Sequence, residues 1–153
     1  MMICLLLILF SIRSDAQEID SSLLSLLQNE LVKPGDAVPI PFISYEDIED
    51  YDGENLINLN TILAYLKDRP NIRVQLANYM DCRGDEAYNL KLSQLQAAWL
   101  AKWFVKNGVV EKQITPMGYG ETKPIINCDC ADCTEEQHFT NRRLEVILIS
   151  SAP

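Results

Sequence analysis

The sequence predicts an α+β fold, in which a mixed four-stranded sheet carries its helices on one face as a two-layer sandwich. The length of 153 residues is that of one domain. Segments with alternating apolar residues, which are typical of strands, come between segments with apolar residues at helical spacing. In chain order these segments predict βαβαβαβ, without an internal repeat.

The N-terminus has the pattern of a secretory signal. Residues 3–12 form an apolar run that is too short to span a bilayer as a helix and has the length of a signal-peptide core. Small residues before Gln17 predict cleavage there; a buried N-terminal strand or helix is the alternative. We therefore expect a signal peptide at 1–16, a leader segment at 17–34 and a folded domain at 35–150, with no transmembrane segment in the mature chain.

The domain begins with a predicted strand and an acidic segment. Residues 38–45 are predicted to form a strand at a sheet edge, because Pro39 and Pro41 cannot donate to a strand ladder. Residues 46–54 contain six acidic residues and are interpreted as a solvated loop. A calcium-binding loop is the alternative, but Ile48 stands at its first ligand position.

A helix, a strand and a long helix are predicted next. Apolar residues at helical spacing predict a helix over 55–68, and alternation predicts a strand over 72–77. The long helix is predicted over 86–107, with Asp85 as its N-cap. Gly108 is the expected residue after its C-terminus.

The C-terminal part of the domain is predicted as strand, turn, short helix and strand. Residues 114–117 are expected to form the third strand, and 118–121 to turn the chain. A short helix is predicted over 135–140. Alternating apolar residues from Leu144 onwards predict the last strand.

The composition excludes several classes of function. Hydrophobic residues make up 48% and charged residues 23%, as in an ordinary globular protein. The net charge of −9 argues against binding to nucleic acid, which needs a basic surface, and against docking by charge on an anionic membrane. Because His138 is the only histidine, a His-based catalytic relay has little room. We expect no catalytic activity and no cofactor.

The cysteines of the domain suggest covalent cross-links. Cys82, Cys128, Cys130 and Cys133 are an even number in an exported chain, which favours disulfides. Four cysteines allow three pairings, and the spacing does not choose among them. A zinc site that combines the three later cysteines with Cys82 or His138 is one alternative. A redox-active Cys130-x-x-Cys133 pair is another.

Four blocks of sequence, taken together, resemble a known family. They are Asp81-x-x-Gly84-x-x-x-Tyr88-Asn89-x-x-Leu92-Ser93, then Gly108, then Met117-Gly118-Tyr119-Gly120-Glu121-Thr122-Lys123-Pro124, then Asn141-Arg142-Arg143-Leu144-Glu145. In this order and at these spacings they resemble the OmpA-like peptidoglycan-binding domain, over about residues 35–150. The resemblance implies a non-catalytic periplasmic domain, associated with the outer membrane, that binds the diaminopimelate residue of the peptidoglycan peptide stem.

The resemblance also implies which residues form the ligand pocket. The Asp81 carboxylate would accept the ammonium group of diaminopimelate, and an arginine fifteen residues later would bind its carboxylate. This chain has Gln96 at that position, so we expect a partly degenerate pocket. Asn89, Arg142 and Arg143 are the other candidates. Each has a structural alternative: a loop-to-helix clamp for Asn89, and pairing with loop acids or the sheet edge for the arginines.

A second function remains open at this stage. The chain is alternatively an interaction module that has lost peptidoglycan binding and docks an outer-membrane or periplasmic protein. Trp99, on the long helix, or the acidic loop at 46–54 is the candidate contact for such a partner.

The resemblance finally implies a disulfide pairing. In this fold the loop after the second strand and the loop after Gly120 are expected to lie side by side. Cysteines at comparable loop positions occur in part of the family. The resemblance therefore predicts one bridge inside the second loop, Cys128–Cys133, and one across the loops, Cys82–Cys130.

Overall fold

A computed structural model describes residues 33–40 and 54–151 of the chain. Its elements are β1 (Ala37–Ile40), α1 (Glu54–Asp68), β2 (Ile72–Tyr79), α2 (Glu86–Lys106), a 3₁₀ turn (Glu111–Gln113), β3 (Ile114–Gly120), α3 (Glu135–Asn141) and β4 (Arg143–Ser151). The predicted βαβαβαβ order is therefore confirmed. The predicted signal peptide, nearly all of the leader segment, the end of the first strand and most of the acidic loop lie outside the described residues.

The four strands form one mixed sheet in the order β1-β4-β2-β3. β4 runs antiparallel to both β1 and β2, whereas β2 and β3 are parallel. The parallel pair is connected through α2, which crosses from the end of β2 to the start of β3. Because the strands of this pair point the same way, both end at the same edge of the sheet.

The core lies between one face of the sheet and the helices α1 and α2. Alternate residues of the strands point into it, as the period of a strand requires. Its fully or nearly fully buried apolar side chains include Val38, Ile40, Val74, Leu76, Leu144, Val146 and Leu148 from the sheet and Leu59, Ile62, Leu66, Leu100 and Phe104 from the helices. The predicted two-layer α+β sandwich is confirmed.

The start and end of α2 follow from its capping residues. Asp85 has extended backbone geometry, and its side chain accepts a hydrogen bond of 2.9 Å from the backbone N–H of Tyr88. At the other end Gly108 has a φ of +100°, a conformation that favours glycine. Both predicted boundary residues are confirmed.

The predicted turn at 118–121 is wrong for its first three residues. β3 continues to Gly120, because its parallel pairing with β2 extends to the pair Tyr79 and Gly120. Gly118 therefore lies inside a strand. A Cβ atom placed on it would come within 2.1 Å of the backbone nitrogen of Gln94. The glycine is needed because β3 packs directly against the backbone of α2 at this point.

Candidate functional site

The candidate site is built where the chain leaves β2 and β3. The backbone N–H of Met80 donates to the carbonyl oxygen of Gly120 over 2.8 Å, so the two following loops start side by side. The predicted placement of these loops is thus confirmed. The parallel pairing of two strands explains it, since parallel strands end at the same edge of a sheet.

Asn89 holds the two loops together from the first turn of α2. Its Nδ2 atom lies 3.3 Å from the carbonyl oxygen of Asp81 and 3.1 Å from that of Arg83. The same nitrogen lies 2.7 Å from Oε2 of Glu121 in the second loop. These contacts match the clamp that was the structural alternative for Asn89.

Asp81 is the centre of the site. The residue is only 4% exposed, although its side chain is ionisable. Its Oδ1 accepts from the backbone N–H of Arg83 over 2.9 Å, and its Oδ2 accepts from the Nη2 atom of the same residue over 2.8 Å. Arg142 adds a second guanidinium, whose Nε lies 3.1 Å from Oδ2 as an ion pair without hydrogen-bond geometry. One buried carboxylate therefore lies between two cations.

The electrostatics of Asp81 are decided by a competition. Burial raises the pKa of this carboxyl because it disfavours the charged form. The hydrogen bonds from Arg83, followed by the charges of Arg83 and Arg142, lower it by more. The net result is a pKa below the ordinary value for aspartate, so Asp81 is ionised at neutral pH.

Arg83 links this carboxylate to a second acid. Its Nη1 atom lies 3.0 Å from Oε1 of Glu135, the first residue of α3. The side chain of Glu135 is 84% exposed, so this pair is screened by solvent and adds little stability. Arg83 is thus strongly held only at its Asp81 end.

Gln96, which stands at the position of the expected family arginine, is hydrogen-bonded to the end of β2. Its Oε1 accepts a hydrogen bond of 2.7 Å from Nδ2 of Asn78, a buried residue near the end of β2. The amide carbonyl of Gln96 is therefore engaged with the sheet. The positive charge that glutamine lacks is supplied at Asp81 by Arg83 and Arg142.

The two consecutive arginines of the last motif separate. Arg142 reaches Asp81, whereas the guanidinium of Arg143 lies 3.8 Å from the ring centre of Tyr79 and its Nε lies 2.7 Å from Oε1 of Glu145. Successive side chains at the start of a strand point to opposite faces, which explains the divergence. Arg143 thus belongs to the face of the sheet opposite the core.

Two disulfides cross-link the loops around this site. Cys82, next to Asp81, is joined to Cys130, and Cys128 is joined to Cys133; each pair has a Cα–Cα distance of 5.7 Å. These are the pairs that the resemblance predicts. The bridge between Cys82 and Cys130 ties the loop of Asp81 to the loop that follows β3.

Sequence reasoning missed Arg83, Glu135 and Glu121. A cation two residues after Asp81 in the same short loop was the signal that could have identified Arg83. Both its backbone N–H and its guanidinium donate to the Asp81 carboxylate. No local signal pointed to Glu121 or Glu135, because their contacts depend on how the second loop folds back.

The outer side of α2 carries exposed apolar side chains. Tyr88 is 61% exposed, Leu95 58% and Trp99 38%. Spacings of seven and four residues place all three on one face of the helix. Trp103, by contrast, packs against the core. Within the described residues, no helix is long and apolar enough to cross a membrane.

The candidate site is thus a buried carboxylate between two guanidinium groups, at the edge where two parallel strands of the α+β sandwich end. The family model of the OmpA family matches residues 52–138, and the chain belongs to this family.

Curated relatives agree with this assignment. The chain is 33% identical over 95 residues to outer membrane porin F of Pseudomonas fluorescens, which covers 62% of the chain and 28% of the porin. It is 28% identical to the peptidoglycan-associated lipoprotein of Buchnera aphidicola, over 78% of the chain and 64% of the lipoprotein. The peptidoglycan-binding protein ArfA of Mycobacterium bovis is 33% identical, over 63% of the chain and 30% of ArfA. The chain thus spans less than two thirds of each relative.

Solved structures share the fold. The peptidoglycan-associated lipoprotein of Burkholderia pseudomallei superposes with a TM-score of 0.59 at 25% identity, covering 76% of this chain and 90% of that one. The periplasmic domain of Helicobacter pylori MotB has a TM-score of 0.60 at 17% identity, covering 79% and 77%. At that identity MotB supports the fold alone.

Proposed function

We propose that this protein binds peptidoglycan without catalysis, through the diaminopimelate end of the peptide stem. The observation that carries the proposal is the buried Asp81 carboxylate between Arg83 and Arg142. Membership of the OmpA family supports it. Two relatives, which are named a peptidoglycan-associated lipoprotein and a peptidoglycan-binding protein, also support the proposal.

The end of diaminopimelate is a zwitterion, and the site offers both complementary charges. The ligand ammonium would bind the Asp81 carboxylate, and the ligand carboxylate would bind a guanidinium. In this proposal Arg142 supplies the positive charge of the missing family arginine, because its guanidinium contacts the Asp81 carboxylate. Gln96, which stands at the position of that arginine, has no charge. A charge-assisted contact of this kind contributes about 1.5–3 kcal/mol.

Arg83 is the side chain that the ligand would displace. Its side chain is 41% exposed, against 29% for Arg142, and its outer end already contacts Glu135. Movement of Arg83 towards Glu135 would free one side of the Asp81 carboxylate while Arg142 stays in place. The exchange replaces one cation by another, so the carboxylate is not left buried without a partner.

We further propose that the protein works in an oxidising compartment of the cell envelope, as a periplasmic protein associated with the outer membrane. The predicted signal peptide at 1–16 and the two disulfides both favour export. The relatives that carry the names of an outer membrane porin and a lipoprotein support the same location. No cofactor is required by this function.

Sedimentation with purified sacculi from a diaminopimelate-type wall tests the proposal. The wild-type protein is expected to sediment with sacculi, and Asp81→Ala to lose most of this binding. Glu136→Gln is the matched control: it also changes an acid, but one that is exposed on α3 and distant in role from the site. Equal sedimentation of wild type and Asp81→Ala would reject the assigned pocket.

A second measurement separates the roles of the cations. Arg142→Gln is expected to weaken binding to sacculi by roughly 10- to 150-fold, the equivalent of one charge-assisted contact. Gln96→Arg is expected to strengthen it, because Gln96 contacts Asn78, which precedes Asp81 by three residues. If Arg142→Gln binds as well as wild type, the proposal that Arg142 replaces the family arginine is wrong.

The second candidate function is that of a protein-binding module of the envelope. The exposed Tyr88, Leu95 and Trp99 on α2 favour it, since aromatic and apolar anchors on one helix face are typical of protein interfaces. Failure of the correctly folded wild type to sediment with sacculi would favour this alternative over peptidoglycan binding.

A further inference from the structure

Three potential metal ligands cluster where the loop after β2, the loop after β3 and α3 meet. Sγ of Cys82, Sγ of Cys130 and a ring nitrogen of His138 all lie within 4.8 Å of one another. The Nδ1 atom of His138 is 3.9 Å from Sγ of Cys82, and the histidine is only 3% exposed. Among the described residues, this is the one group of three such side chains.

We propose that this cluster becomes a zinc site when the disulfide between Cys82 and Cys130 is reduced. A dithiol reductant would supply two electrons and two protons. The S–S bond breaks, two thiols form, and the reductant leaves as its own disulfide. Zn²⁺ then displaces the two thiol protons and binds both thiolates, and the imidazole of His138 donates its Nδ1 lone pair as the third ligand.

The distance between Cys82 and His138 is close to the one that a tetrahedral zinc ion requires. Typical Zn–S and Zn–N distances predict a separation of about 3.6 Å between a sulfur and a nitrogen ligand, and about 3.8 Å between two sulfurs. The observed distance from Cys82 Sγ to His138 Nδ1 is 3.9 Å. The two sulfurs would have to separate by about 1.7 Å from their disulfide distance. Both cysteines are half-buried and lie in loops, so the shift would fall on loop segments rather than on the sheet.

The donor set selects the metal. Two thiolates and one imidazole suit zinc and other borderline or soft ions, and exclude the oxygen-seeking Mg²⁺ and Ca²⁺. Three protein ligands leave a fourth position for water. Cys128 and Cys133 are not needed, since they form their own bridge within the second loop.

A bound zinc would keep the cross-link that reduction removes. Cys82 follows Asp81 directly, and Cys130 lies in the facing loop. The metal would therefore hold the two loops together beside the Asp81 carboxylate in a reducing environment. The proposed site is independent of peptidoglycan, because its ligands are formed by the protein alone.

The test uses the double variant Cys128→Ser/Cys133→Ser, which keeps all three ligands and removes the other two thiols. The protein is reduced with a phosphine, freed of reductant without oxygen, and titrated with Co²⁺ and then Zn²⁺. One Co²⁺ per chain is expected, with the charge-transfer absorption of a cobalt–thiolate bond, and Zn²⁺ should displace it. The oxidised protein should bind neither ion at this site.

His138→Gln in the same background tests the third ligand. The substitution is expected to weaken Zn²⁺ binding by roughly tenfold or more and to change the cobalt spectrum. Loss of a residue that only hydrogen-bonds to a metal ligand already weakens metal binding by that much. Glu136→Gln, two residues away on α3, should leave both unchanged. Circular dichroism of each variant checks folding, and Cys82→Ser gives a second test of the ligand set. Absence of Co²⁺ binding by the reduced protein, or binding that His138→Gln leaves intact, overturns the proposal.

Discussion

The Nε atom of Arg142 lies 3.1 Å from the Oδ2 atom of Asp81. The arginine stands where α3 passes into β4, and the aspartate stands just after β2, so the contact joins the ends of two neighbouring antiparallel strands. With Arg83 on the other side, the carboxylate is enclosed by cations from two parts of the chain. The site therefore exists only when the sheet is assembled.

The lowered pKa of Asp81 predicts a pH-dependent contribution to stability. Aspartate in an unfolded chain has a pKa of about 3.9, and the folded value is lower. The stabilisation is fully present above the unfolded pKa and is lost as the pH falls through the folded one. Asp81→Asn should therefore lower the free energy of unfolding by about 1–3 kcal/mol at pH 7. The difference should shrink as the pH falls below the unfolded pKa and through the lower folded pKa.

Urea unfolding of wild type and Asp81→Asn from neutral to acid pH measures this effect. Glu136→Gln is the control, because its carboxylate is exposed, and it should change stability by less than about 0.5 kcal/mol throughout. A difference between Asp81→Asn and wild type that stays constant with pH would contradict the assigned ion pairs.

Replacing Asn58 by an apolar residue should stabilise the protein. Its side chain is fully buried in α1, and neither its Nδ2 nor its Oδ1 has a hydrogen-bond partner in the described part of the protein. Burying an amide in this way costs about 1–3 kcal/mol. Asn58→Leu, which keeps the number and branching of the side-chain heavy atoms, should raise the free energy of unfolding by about 1–2 kcal/mol.

Asn141→Leu is the matched comparison. This amide is also buried, but its Oδ1 accepts from the backbone N–H groups of Ile125 and Ile126, and its Nδ2 donates to the carbonyl oxygen of Ile126, each over 2.9 Å. The substitution should lower the free energy of unfolding. Opposite signs for the two asparagines, measured by thermal unfolding, would support the argument; equal losses would refute it for Asn58.

Gly118 predicts a steric penalty. A Cβ atom there would overlap the backbone of Ser93 and Gln94, which cannot rotate away as a side chain does. Gly118→Ala should therefore cost about 1–3 kcal/mol or more, as overpacking of a core does. Thr115→Val, at an exposed position of the same strand, should cost less than about 1 kcal/mol. Equal stability of the two variants would mean that β3 and α2 lie further apart.

The two disulfides should differ in their effect on stability. The bridge between Cys82 and Cys130 closes a loop of 48 residues, and that between Cys128 and Cys133 closes one of 5. In the chain-entropy model these loops correspond to about 4 and about 2 kcal/mol. Paired Cys→Ser variants, compared by guanidinium unfolding, should lose stability in that order. The reverse order would show that native strain or the structure of the unfolded chain dominates.

The strands and helices were largely predictable, because local signals specify them. Apolar periodicity predicted α1 and β2, and the capping residues Asp85 and Gly108 predicted the limits of α2. The end of β3 was predicted too early, because the motif after Met117 is rich in glycine. Only the parallel pairing with β2, a contact between distant segments, shows that Gly118 is a strand residue.

The candidate site was predictable only in part. Asp81 was identified through the family resemblance, but the cations that surround it depend on tertiary structure. Arg142 reaches Asp81 from the position just before β4, whereas Arg143, the first residue of β4, points to the face opposite the core. Shifting the register by one residue would exchange them. That register is determined by the whole sheet and not by the motif.

The bond between Cys82 and Cys130 also decides what proteolysis would do to this protein. Residues 122–125 of the second loop are all exposed, so a protease has access to them. A cut there would place Asp81 and Arg142 in different fragments, because the cut lies between them in the sequence. Both fragments would still be one covalent molecule, because Cys130 lies after the cut and Cys82 before it. A nicked chain would thus run as two bands only after reduction, and would keep both halves of the site together until then.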